Sequence, residues 1–183
     1  ARRDATWEQV LFVDEDTGCS DLAMDPKNPR NVFVGTWQFV IHTWGRFSGG
    51  PGGGLWVSRD GGATFTRLTG NGLPTKPVGK VAVAIAASNP QRVYAMFETG
   101  DGIPWNGQPT EDGQIWRSED GGRTWRLVNK DREAMGRAHY YGRMAVSTDD
   151  PDATYYMTNG FSRSTDGGLT LTPLQRAQAP GGD

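Results

Sequence analysis

Apolar and polar positions alternate along this chain in short runs, the period of two that strands produce, and Gly, Pro, Asn and Asp separate the runs. The clearest pair is "QIWRS" and "TWRLV", joined through "SEDGGRTW" at 118–125. Asp-Gly between alternating segments predicts a hairpin, because glycine adopts the turn's backbone angles at little cost. Ser118 and Asp120 carry short side chains able to accept hydrogen bonds from turn amides, with Thr124 meeting them from the other side. Trp125 then starts the return strand with a large apolar ring.

The pattern recurs. "SRDGGATF" occupies 58–65 and "STDGGLTL" occupies 164–171. Ser58, Asp60, Gly62 and Thr64 stand at the offsets of Ser118, Asp120, Gly122 and Thr124, as do Ser164, Asp166, Gly168 and Thr170. "ARRDATW" at the start reads as the worn end of a fourth copy, so the chain reads as a processed or excised piece. The motif resembles the Asp-box, or BNR, repeat of β-propellers such as sialidases, xyloglucan-degrading glycosidases and the sortilin ectodomain.

A second pattern runs in step with the first. "DLAMDPKNPRNVFVG", "AVAIAASNPQRVYAM" and "RMAVSTDDPDATYYM" align, with Pro29, Pro90 and Pro151 spaced 61 residues apart. Leu22, Val83 and Met144 are matching apolar positions, followed by the small Ala23, Ala84 and Ala145. A strand apolar on one face and alanine on the other is packed on both sides. Each unit therefore reads as a four-stranded antiparallel meander, and repeats of this size predict an all-β propeller. The expected blades cover about 20–69, 80–129 and 142–176, with 1–13 as the last strand of a preceding blade. Three blades leave two inter-blade faces open, to be covered by a protein partner or by remaining blades of the same chain.

Composition agrees. The 26 glycines and 11 prolines make up a fifth of the 183 residues, too many for a helical protein. Seven Trp argue against disorder, a net charge of −2 gives no reason to expect nucleic acid, and no stretch reaches membrane-spanning length. The lone Cys19 cannot form an internal disulfide and reads as a small buried thiol. His42 and His139 have no recognisable ligand set around them, so neither a metal nor a cofactor is expected.

Two insertions break the repeat, 38–53 and 99–113, and long loops on a rigid scaffold carry function more often than the scaffold does. They bring Trp44 and Trp105, with Trp37, Glu98 and Asp101 in or beside them, as candidate binding residues. An exposed Trp there would stack on a sugar or anchor a protein. The Asp-box residues read as structural. "GGPGGGLWVSRDGGATF" resembles bacterial secreted proteins built from sortilin-like (VPS10-like) BNR propellers, which implies an extracytoplasmic location, periplasmic or secreted. Glycoside hydrolysis needs two carboxylates across a cleft, and the motifs single out no such pair, leaving the catalytic residues unassigned. The sequence-based expectation is thus a non-catalytic binding module docked to a partner protein or complex. The alternative is a fragment of a BNR-type glycoside hydrolase acting on polysaccharide.

Overall fold

The computed structural model describes residues 6–99, 113–136, 138–158 and 160–174. Among them, backbone pairing resolves into three antiparallel sheets in chain order. The first contains β1 (Thr17–Met24), β2 (Val32–His42), β4 (Gly54–Ser58) and β5 (Thr66–Leu68), with the short β3 (Gly45–Ser48) beside the far end of β2. The second contains β6 (Val81–Ile85), β7 (Val93–Phe97), β8 (Ile115–Ser118) and β9 (Arg126–Asn129). The third contains β10 (Arg143–Val146), β11 (Thr154–Met157), β12 (Phe161–Ser164) and β13 (Thr172–Pro173). Each is a meander, and β1, β6 and β10 meet one another across the sheets. The protein is a section of a β-propeller, with those three strands innermost.

Strand register gives each blade two distinct faces. On the forward face, toward the next blade, Ala23 lies opposite Phe33 and Phe33 opposite Val57. The same row is Ala84–Tyr94–Arg117 in the second blade and Ala145–Tyr155–Arg163 in the third. The rear rows are Leu22–Val34–Trp56, Val83–Ala95–Trp116 and Met144–Tyr156–Ser162. Phe33, Leu55 and Val57 thus form one core with Val83, Ala95, Trp116 and Trp125. Ala84, Tyr94 and Ile115 form a second with Met144 and Tyr156. Each fully buried large side chain contributes roughly 1.5–3 kcal/mol, so the blades are held chiefly by their neighbours.

The three Asp-box turns are built alike. The serine hydroxyl donates to the aspartate Oδ1 at 2.7–2.8 Å and its Oγ accepts the amide of the second glycine. Both aspartate oxygens are then taken by the threonine two residues beyond that glycine, whose amide donates at 2.9 Å and hydroxyl at 2.6 Å. Both glycines of every turn have positive φ. In the second and third turns Gly122, Gly167 and Gly168 also face the preceding blade. A Cβ on Gly122 would lie 2.6 Å from the Phe33 ring, and one on Gly167 would collide with the Arg117 guanidinium. On Gly62, which no described blade precedes, a Cβ would meet nothing.

Two segments depart from the sequence reading. Residues 6–14, within the segment 1–13 expected as the last strand of a preceding blade, pair with no described strand. They lie instead near the rear face of the first blade, lining with Leu22, Val34 and Phe65 a cleft of about 430 Å³. The insertion at 38–53 is largely a hairpin rather than a loop. β2 continues to His42 and pairs with β3 from Phe39↔Ser48 to His42↔Gly45, since "QFVIH" is itself rich in β-branched and aromatic residues. Trp105 and Asp101, in the second insertion, lie outside the described residues. Cys19 is exposed, not buried, because it lies on an edge strand with no described blade behind it.

Two outcomes follow from the turns. Asp120→Ala should strip the Ser118 and Thr124 hydroxyls and the Arg123 and Thr124 amides of their acceptor and lower the unfolding free energy by roughly 1–2 kcal/mol, read from a denaturant midpoint. Acid should act through the same groups. Burial pushes the Asp120 carboxyl up, but the Thr124 hydroxyl and amide and the Ser118 hydroxyl outweigh it and hold the pKa at about 2, against an ordinary 3.8. The Thr170 hydroxyl and amide hold Asp166 at about 2 as well. A depressed folded-state pKa stabilises the fold fully above the unfolded value, and that contribution disappears as pH falls from about 4 to about 2. The thermal midpoint should drop across that window, and less steeply in Thr124→Val.

Candidate functional site

Antiparallel order separates the ends of the blades. The proline turns and the Asp-box turns share one end. The link from β2 to β4 and the connections between blades lie at the other. The β2–β3 hairpin projects from that second end, and its two faces have different surroundings.

Trp37 and Phe39 of β2 face the link between the second and third blades. The rings of Trp37 and Phe39 stack at 4.3 Å, and His139 meets both edge-on at 6.4 and 5.3 Å. The Trp37 indole N–H donates to Ser48 Oγ at 2.9 Å, and the Ser48 hydroxyl donates to Glu98 Oε2 at 2.6 Å. That oxygen also accepts the Lys80 amide at 2.8 Å. Glu98 is only 9% exposed, so its carboxylate closes a buried polar network. The Lys80 ammonium sits 5.2 Å from the Trp37 ring centre and donates to the carbonyls of Tyr141 at 2.8 Å and Ala138 at 3.2 Å. Burial lowers its pKa from the ordinary value. Trp37, Lys80 and Glu98 therefore tie the hairpin to the second blade and to the turn at 138–141.

The outward face is uncovered. Trp44, at the hairpin tip, is 75% exposed. Its ring lies parallel to His42 at 4.8 Å and edge-on to Phe47 at 5.6 Å, so it is exposed yet braced. Across the hairpin, Arg46 donates to the Tyr140 hydroxyl at 3.2 Å and lies 5.9 Å from its ring centre. Tyr140 is 69% exposed, and Tyr141 beside it is exposed as well. The result is an aromatic surface fringed by a guanidinium and phenol hydroxyls, suited to flat, hydroxyl-rich ligands. Trp44 was legible as a candidate. Tyr140 and Tyr141 were not singled out, although adjacent tyrosines in a link between blades are a readable signal.

Besides Glu98, a second acidic residue of the described blades is already engaged. Asp21 accepts Arg143 Nη1 at 2.9 Å, the Val83 amide at 3.1 Å and the Leu22 amide at 3.0 Å, joining all three innermost strands. Opposite charges at equivalent positions of β1 and β10 are the signal that predicts this pair. Among the described residues, no group of three or more His, Cys, Asp or Glu is placed to hold a metal ion.

No family model matches the chain. A xyloglucanase of Paenibacillus sp is 34% identical over 147 residues, 79% of this chain and 12% of that protein. Among solved structures, the GH74 xyloglucanase from Xanthomonas campestris superposes with a TM-score of 0.62 at 18% identity, covering 92% of this chain and 23% of that one. YCF48 from Cyanidioschyzon merolae gives 0.59 at 16% identity, covering 94% and 44%. At these identities both structures show the fold alone. The sequence relative overturns the expectation of a non-catalytic docking module and favours the glycoside hydrolase alternative. That expectation rested on the lack of an acid pair. In a propeller the two carboxylates can come from blades far apart in sequence, and this chain spans about one eighth of the relative's length.

Proposed function

We propose that this chain is a section of a glycoside hydrolase that acts on a β-glucan of the xyloglucan type outside the cytoplasm, and that the β2–β3 hairpin contributes to its sugar-binding surface. The carrying observation is the 34% identity, over 79% of the chain, to a protein named xyloglucanase. The repeated serine–aspartate–threonine hydrogen bonding supports reading the turns as Asp-boxes. The sortilin-like wording of the first blade reflects that shared architecture rather than a shared ligand.

The surface geometry supports the reading. A glucan chain presents the C–H faces of its rings and an equatorial belt of hydroxyls. Trp44, braced by His42 and Phe47, offers a ring for one such face with little conformational entropy left to lose. Arg46 and Tyr140 stand where hydroxyls of the same chain would find hydrogen-bonding partners. Hydrolysis itself needs a proton donor and a second carboxylate about 5–10 Å apart across the glycosidic bond. Asp21 and Glu98 already accept two or more hydrogen bonds each, so they hold structure, and the acid pair is assigned outside the described residues.

The test is turnover of tamarind xyloglucan by the natural full-length protein, with carboxymethylcellulose and a sialoside as controls. Xyloglucan cleavage is expected, and its absence together with absent binding would remove the reading. Trp44→Ala should raise KM about tenfold with kcat nearly unchanged, as expected when binding is lost equally from ground and transition states. An unchanged KM would leave the hydrolase assignment standing and exclude the hairpin from the binding surface.

A further inference from the structure

Neighbouring blades are joined by more than apolar packing. The forward face of the second blade sends two polar groups onto the backbone of the third. The Tyr94 hydroxyl donates to the Pro151 carbonyl of the proline turn at 2.7 Å. Arg117 Nη1 donates to the Gly167 carbonyl of the Asp-box turn at 2.7 Å. The first blade makes the equivalent Asp-box contact from a different position, Arg59 Nη2 donating to the Gly121 carbonyl at 2.5 Å. A guanidinium from one blade on the first-glycine carbonyl of the next Asp-box is thus a repeated joint.

The third blade carries the same equipment on its open forward face. Tyr155 lies in the register of Tyr94 and Arg163 in that of Arg117, paired across β11 and β12 as Tyr94 and Arg117 are across β7 and β8. Ala145 repeats Ala84, and Phe161 takes the place of Ile115, its ring parallel to Tyr155 at 6.1 Å. In the second blade these positions are buried; in the third, Arg163 is exposed and the others are half-covered.

We propose that the forward face of the third blade receives a further Asp-box blade of the same propeller, with Tyr155 donating to the carbonyl of its proline turn and Arg163 to the first-glycine carbonyl of its Asp-box. The occupant follows from the chemistry. The face offers a phenol hydroxyl and a guanidinium in the register of Tyr94 and Arg117, which donate to two backbone carbonyls of the blade after theirs, beside the apolar Ala145 and Phe161. The first blade of a second copy is the poorer fit, because residues 9–15 already lie along the rear face it would have to present. The inference is independent of the substrate.

Hydroxyl-radical footprinting of the natural full-length protein tests it without any substitution. Tyr155 and Phe161 should be oxidised about as slowly as buried Tyr94, and at least tenfold more slowly than exposed Tyr140. A photo-crosslinker at the same place, Arg163→p-benzoylphenylalanine, should link within the polypeptide to a Ser-x-Asp-Gly-Gly turn other than those at 58–62, 118–122 and 164–168. Oxidation of Tyr155 at the rate of Tyr140 would overturn the proposal. So would a crosslink to a second copy or an unrelated protein, or a protected face with no crosslink to such a turn.

Discussion

The contact between one blade's forward face and the backbone of the next blade's Asp-box turn supports the rest of this structure. Phe33 packs on Gly122, Ile115 approaches Gly168, and the guanidinia of Arg59 and Arg117 reach the first-glycine carbonyls of the turns beyond them. A four-stranded meander alone has too little buried area to offset the entropy of ordering it. Here each sheet gains a second layer from its neighbour, and the turn that ends its outer strands is pinned from behind. The double glycine serves two demands at once. Positive φ lets the chain reverse, and the missing Cβ lets the neighbour come into contact.

With one end of the blades committed to this repeated fastening, chemistry specific to the protein is left to the other. The antiparallel order places the β2–β3 hairpin and the link at 138–141 there, and the Lys80–Trp37–Glu98 network holds them in register. A surface that binds an extended polymer needs exposed rings that nevertheless do not move. Trp44 meets that need through its contacts with His42 and Phe47, while Trp37, five residues before the last pair of the hairpin, is consumed in holding the hairpin down.

The axis carries a different constraint. The innermost strands approach closely, as the alanines on one face of each allow, and the polar groups brought there must be paired. Asp21 answers this by accepting from Arg143 and the Val83 amide together, so that one carboxylate joins three blades.

The fold was largely legible in the chain. The Asp-Gly-Gly turns, the 61-residue proline spacing and the alternation around Ala23, Ala84 and Ala145 depend on local backbone angles and a period of two, and such short-range rules appear directly in a linear sequence. Other features depended on which residues meet across 11 to 122 positions. Nothing local distinguishes Trp37, held by Ser48, from Trp44, left exposed. The ion pair of Asp21 with Arg143 spans two blades, and the role of the second glycine in seating Phe33 exists only once blades are stacked. Residues 6–14 show the same limit from the other side. Their pattern is that of a strand, but a strand requires a partner edge, and whether one is present is decided by tertiary structure.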